Sequence, residues 1–246
     1  MTKSPVVFEK KGHIASVILY RPDTGNMIDQ EMAAKLEETC DRLIQDDEIY
    51  VVILAGSGKD FCCGGPDLET GNYRPAEAIA RIDRPVIAAI QGQCSGLGLE
   101  LALSADIRLA ASDARFSLPQ LSQGRLPGNG GTQRLPRIVG RGKALEMLLT
   151  SDVISADEAL EIGLVSRLFP PAALQLETDK LAQTIAAKGP LALKYLKEAV
   201  LKGMDVTLEQ GLRLEADLYF LLHTTADRTE GIRSFLEKRM PRFKGE

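Results

Sequence analysis

The chain has 246 residues, 44% of them apolar and 26% charged, which is enough for a sizeable core and excludes a disordered protein. Its net charge of −4 is spread along the sequence with no basic stripe and no aromatic residues interleaved with Lys and Arg, so nucleic acid is excluded as a main partner. No apolar h-region opens the chain and no run approaches the length of a membrane span, so a cytoplasmic protein without membrane contact is expected.

In chain order, residues 14–20 are β-branched and apolar and predict a strand, 27–44 carry apolar residues at helical spacing, and 50–55 read as a second short strand. This is the βαβ rhythm of an α/β fold. Residues 85–90 read as a buried strand running into Gly92, 99–103 as a helix start, and 107–110 and 114–118 as further strands. Beyond Arg137 helices take over, at 142–150, 155–162, 174–187, 190–202, 207–222 and 225–238. Ser155 is a predicted N-cap, with Asp157 and Glu158 in the first turn and Gly163 just past the end. The expected division is an α/β core over 1–180 and a helical region over 181–246, whose apolar faces need the core or another subunit to cover them.

Four cysteines, Cys40, Cys62, Cys63 and Cys94, lack C-x-x-C spacing and lie near neither His13 nor His223. No metal site and no disulfide framework are expected, and the four read as small reduced side chains in the core. Neither histidine has the carboxylate neighbourhood of a nucleophile's base.

The informative segment is GQCSGLGLELALSAD over 92–106, which sets a glycine-bearing turn between a buried strand and a helix whose first turn holds Glu100. Glycine lets a backbone approach a ligand closely, and helix N-termini point free N–H groups at negative charge, so such a turn can stabilise a developing oxyanion. Glu100 then has two readings: a general base whose pKa partial burial raises, or an acid that complements the helix dipole. DFCCGGPDL over 60–68 follows a strand and offers a second donor, the Gly65 N–H, which converges with that of Leu97 if the two strands are neighbours, and is otherwise a plain loop. Pro66 has no N–H to give. Gly56-Ser57-Gly58-Lys59 lacks the spacing of a phosphate loop, Gly96-Leu97-Gly98 lacks the third glycine of a dinucleotide fingerprint, and Ser95 does not stand in G-x-S-x-G.

Taken in order, Arg21-Pro22 with GNMI, DFCCGGPDL, RPVIAAIQGQCSGLGLELALSADIRLA, LPGNGGTQRLPRIVG, ISADEALEIGLVSRLF and EGIRSFLEKRMPRF resemble the enoyl-CoA hydratase/isomerase (crotonase) family across nearly the whole chain. The resemblance implies a spiral of ββα repeats with a C-terminal helical trimerisation region, trimers or hexamers, and an acyl-CoA substrate, coenzyme A being part of that substrate and not a separate cofactor. By position it implies an oxyanion hole of the Gly65 and Leu97 N–H groups and catalytic roles for Glu100 and Gln120. Arg21, Met27, Cys63 and Pro66 fall in stretches that line the acyl-CoA site, and Tyr219 and Lys238 match positions where a neighbouring subunit touches the adenine and phosphate part of CoA.

The sequence departs from the family at Gln120, which stands where two-glutamate hydratases carry their second carboxylate, and at Leu97, which replaces a common glycine. The loop between Leu68 and Pro85, with Tyr73 and Arg74, is shorter than in many relatives. The expected activity is hydration or dehydration of an α,β-unsaturated acyl-CoA with Glu100 as sole acid/base and Gln120 orienting water. GNMID and GQCSGLGLELA hint at a ring-bearing, cyclic dienoyl substrate. The alternatives are double-bond isomerisation, decarboxylation, and a non-catalytic acyl-CoA-binding protein.

Overall fold

A computed structural model describes residues 4–66 and 73–246; Asp67 and Leu68, at the end of the DFCCGGPDL stretch, lie outside the described residues. The chain opens with β1 (Val6–Lys11) and β2 (Ile14–Leu19), an antiparallel pair. In β2 Ala15, Val17 and Leu19 are buried and the residues between them are not, the period of a strand with one face on the core. α1 (Gln30–Ile44) begins three residues later than the spacing predicted, because the Asp29 side chain accepts the Met32 N–H at 2.9 Å and caps the helix there. β3 (Val51–Gly56), α2 (Pro75–Ala80) and β4 (Val86–Ile90) follow, and the two strands are apolar almost throughout, as parallel strands covered on both faces must be.

From β4 the chain steps through Gln91 and Gly92 into β5 (Gln93–Ser95), then α3 (Leu97–Ser104). β6 (Ile107–Ala111) and β7 (Arg115–Ser117) repeat the step, followed by α4 (Gly131–Val139), α5 (Arg141–Thr150), β8 (Ile154–Ser155), α6 (Ala156–Glu161) and β9 (Arg167–Phe169). Among the described residues, one sheet runs β1-β2-β3-β4-β6-β9 and a second, smaller sheet runs β5-β7-β8. Each turn of the chain thus gives one strand to each sheet and then a helix, the spiral of ββα repeats expected above. After β3 the same step survives as a single parallel bridge, Cys62 to Cys94.

α7 (Pro171–Ala186) packs along β3, β4, β6 and β9, so residue 180, expected as the boundary of the core, lies inside a helix of that core. α8 (Pro190–Gly203), α9 (Leu208–His223) and α10 (Ala226–Leu236) are different. Their long apolar side chains stand open in the single chain, Leu208 at 78%, Phe220 at 69% and Phe235 at 82% exposure. Among the described residues no helix is long and apolar enough to cross a membrane.

Two buried arginines close helix C-termini that no glycine caps. Arg84 donates to the carbonyls of Leu43 and Ile44 at the end of α1 and of Ile49 beyond it, and Arg108 to those of Ala102 and Ala105 at the end of α3 and of Leu164 after α6. Asn26 makes a third buried knot: fully enclosed and at φ +55°, it accepts from the Arg21 N–H at 2.9 Å and donates to the carbonyls of Ser57, Asp60 and Phe61. This ties the turn after β2 to the turn after β3. Asn26→Ala strands those carbonyls in the interior and is expected to cost roughly 2–4 kcal/mol, measured by denaturant unfolding; a change below about 0.5 kcal/mol contradicts the assignment.

Candidate active site

The site is built on the Cys62–Cys94 bridge. Cys62 N–H donates to the Gln93 carbonyl at 3.0 Å and Ser95 N–H to the Cys62 carbonyl at 2.9 Å, so the two chains leave the sheet side by side and in register. Gly65 and Leu97 each lie three residues beyond the bridged pair. Glycines permit the close approach: a side chain on Gly64 would meet the Ser95 carbonyl oxygen at 3.1 Å, and one on Gly98 would overlap the Cys62 carbonyl. Gly64 and Gly96 hold φ of +92° and +55°, which side-chain-bearing residues rarely adopt. Gly65 itself is pressed against the Ile28 carbonyl, while the Ile28 N–H donates to the Gly64 carbonyl at 2.8 Å.

Leu97 opens α3, where N–H groups have no partner in their own helix. Among the described residues no acceptor takes its N–H or that of Gly65. Both residues line one cleft of about 830 Å³, together with Cys63, Pro66, Glu100, Gln120 and Asn129.

Glu100, one turn into α3, is only 2% exposed. Its Oε1 accepts from the N–H groups of Asn129 at 2.7 Å and Gly131 at 2.9 Å, and its Oε2 from Gln120 Nε2 at 3.2 Å. Burial lifts the Glu100 carboxyl above the usual glutamate range, and the Gly131 and Asn129 N–H groups, Arg134 and Gln120 draw it part of the way back. The helix that this carboxylate serves is α4 rather than its own. The N-cap of α4, Gly130, has no side chain to offer, and Glu100 supplies the oxygen from across the cleft. Arg134, also on α4, donates to the Asn129 carbonyl at 2.8 Å and holds that turn.

Gln120 starts a short turn of 3₁₀ helix over Leu121–Gln123; its Nε2 faces Glu100, and its Oε1 is buried without a partner among the described residues. Asn129 Oδ1 is buried and unpartnered in the same way. Cys63 is half-buried, and burial pushes its thiol up, as it pushes that of Cys62 to about 12; neither is a thiolate at neutral pH.

Of the other expected residues, Pro66 lines the cleft and four do not. Arg21 pairs with Asp29 and Glu31 at the start of α1, and Met27 is 41% exposed beside it. Tyr219 lies on α9 against His223, and Lys238 follows α10 at φ +52°. Sequence reasoning missed Asn129, Gly131 and Arg134. Their signal was present in LPGNGGTQRLPRIVG: a helix that starts on paired glycines needs its cap from elsewhere in the fold.

Comparison with known proteins gives the family. A family model described as Enoyl-CoA hydratase/isomerase matches residues 9–246. The chain is 38% identical to (E)-benzylidenesuccinyl-CoA hydratase of Thauera aromatica over 98% of this chain and 99% of the relative. It is 37% identical to crotonyl-CoA hydratase of Syntrophomonas wolfei over 99% of both. The solved structure of an enoyl-CoA hydratase from Bacillus anthracis superposes with a TM-score of 0.93 at 36% identity, covering 98% of this chain and all (100%) of that one. The chain is an enzyme of the enoyl-CoA hydratase/isomerase family.

Proposed function

We propose that the chain catalyses the addition of water to an α,β-unsaturated acyl-CoA, and its reverse, with Glu100 as the sole acid/base. The observation that carries the reading is that one cleft is lined by one buried carboxylate and by two residues, Gly65 and Leu97, whose backbone N–H groups meet no acceptor among the described residues. In the proposed reaction the thioester oxygen accepts from Gly65 and Leu97, which draws electrons out of the double bond and makes the β carbon electrophilic. Water oxygen bonds to that carbon as Glu100 takes a proton, and Glu100 then returns the proton to the α carbon. The sum is one added water. The Gln120 carboxamide is neither an acid nor a base at neutral pH, so the carboxylate has to serve both steps.

The relatives named above are hydratases, which favours hydration over isomerisation or decarboxylation on the same oxyanion site. The ring in the benzylidenesuccinyl group of the Thauera relative's substrate supports a ring-bearing acyl group here, in line with the hint in the sequence. Coenzyme A enters as part of the substrate. The exposed apolar faces of α8, α9 and α10 support a trimer or a hexamer, in which Tyr219 and Lys238 would reach a neighbour's CoA and Arg21 and Met27 would flank the mouth of the cleft.

Incubation with crotonyl-CoA is expected to give a mass gain of one water, with neither an isomer from a 3-enoyl-CoA nor mass loss from a malonyl-type thioester at comparable rates. Glu100→Gln keeps an acceptor for the Asn129 and Gly131 N–H groups and is expected to lower kcat roughly 10²–10⁴-fold; an active variant contradicts the assignment. Only ionised Glu100 removes a proton from water, so kcat/KM should fall as pH drops through a midpoint above the ordinary 4.5. The folded state favours the protonated carboxyl, so ionisation costs stability as pH rises from 4.5 through that midpoint, and Glu100→Gln removes this dependence. Light scattering should report a trimer or hexamer that Phe235→Glu splits, and a monomeric parent chain would overturn the assembly.

A further inference from the structure

Resting on the hydration reading, we propose that the side-chain carbonyls of Asn129 and Gln120 form a positioning pair that turns the attacking water, so that only its hydrogen facing Glu100 Oε2 is transferred. A carboxylate offers about four lone-pair sites, two on each oxygen. On Oε1 both are taken, by the N–H groups of Asn129 and Gly131; on Oε2 one is taken, by Gln120 Nε2. Among the described residues, the remaining site, on Oε2, is the one left where Glu100 can receive a proton without breaking a hydrogen bond.

Both residues are tied to the same carboxylate. Gln120 is joined to Oε2 through its Nε2 at 3.2 Å, and Asn129 to Oε1 through its own N–H at 2.7 Å. Both side chains line the cleft, and Gln120 Oε1 and Asn129 Oδ1 are buried acceptors that receive no donor among the described residues. An enoyl group carries no donor at its α and β carbons. Water does: one hydrogen points at Oε2 and the other at the two carbonyls. An amide oxygen holds that second hydrogen and does not remove it, so it stays on the oxygen and becomes the hydrogen of the product's 3-hydroxyl group. The O–H bond facing Glu100 breaks, the bond from oxygen to the β carbon forms, and the α carbon receives the transferred proton. In the reverse direction the same carbonyls hold the departing hydroxyl. A second carboxylate is then unnecessary, because the task left to Gln120 is orientation.

Asn129→Ala keeps the backbone N–H that holds Glu100 and deletes only the side-chain acceptor. It is expected to lower kcat for crotonyl-CoA hydration about 10-fold or more with KM changed less than about 3-fold. Exchange of the α hydrogens of butyryl-CoA in D₂O, which needs Glu100 and the oxyanion donors and no attacking water, should stay at the wild-type rate. Asn129→Asp places a second negative charge beside Glu100 and should move the acid limb of kcat/KM to higher pH. An unchanged kcat in Asn129→Ala, an equal loss of hydration and exchange, or an acid limb that does not move in Asn129→Asp each overturns the positioning role while wild-type hydration stands. A wild-type enzyme that hydrates no enoyl-CoA overturns the hydration reading and this inference together.

Discussion

The constraint on which the rest depends is the parallel pairing of two chain segments at Cys62 and Cys94. A helix N-terminus or a glycine turn alone is a weak anion site. In the proposed site two of them form a two-point grip, which needs something to fix their separation, and a pair of backbone hydrogen bonds joins the two segments at the last step before both turn. Gly65 and Leu97 each follow three residues beyond that pair. Gly64 and Gly98 then let the backbones approach where a side chain would crowd a carbonyl, and Gly96 supplies a positive φ. The two thiols at the bridge are buried and held protonated, so their part is to pack.

Glu100 shows how the fold sets opposing electrostatic terms against one another. Burial disfavours its charge, while two backbone N–H groups at the start of α4 favour it. Burial prevails, leaving a carboxyl more basic than a surface glutamate and still able to ionise. The same hydrogen bonds fix its orientation, so the carboxylate closes the N-terminus of α4 and faces the cleft at once. In the proposed reaction, stability and reactivity are therefore coupled through one side chain.

Much of this was legible in the sequence, and the exceptions have physical causes. Strands with a clear apolar run, such as β3 and β4, were readable, as were helices with side-chain caps, such as α6 with Ser155. β5, β8 and β9 are two or three residues long, too short for any period to show, and β1 has most of its residues at least partly exposed. α4 was missed because it begins on glycine and contains Pro136, both local signals against a helix, and its cap comes from Glu100, distant in sequence. The convergence of Gly65 and Leu97 was only conditional, since sequence gives turns and not which strands are neighbours. Asn129 was missed for a related reason: the paired glycines after it signal a helix capped from elsewhere, and the sequence does not say which side chain it meets.

The central claim is that a thioester carbonyl sits between the N–H groups of Gly65 and Leu97. The most direct measurement is the isotope-edited infrared spectrum of a saturated acyl-CoA carrying ¹³C at the thioester carbonyl, free and bound to the enzyme. Two hydrogen bonds from a water-excluded wall polarise the C=O bond, so its stretching band should move to clearly lower frequency on binding. A bound carbonyl that absorbs where it does in water, or at higher frequency, would mean that the two amides do not grip it.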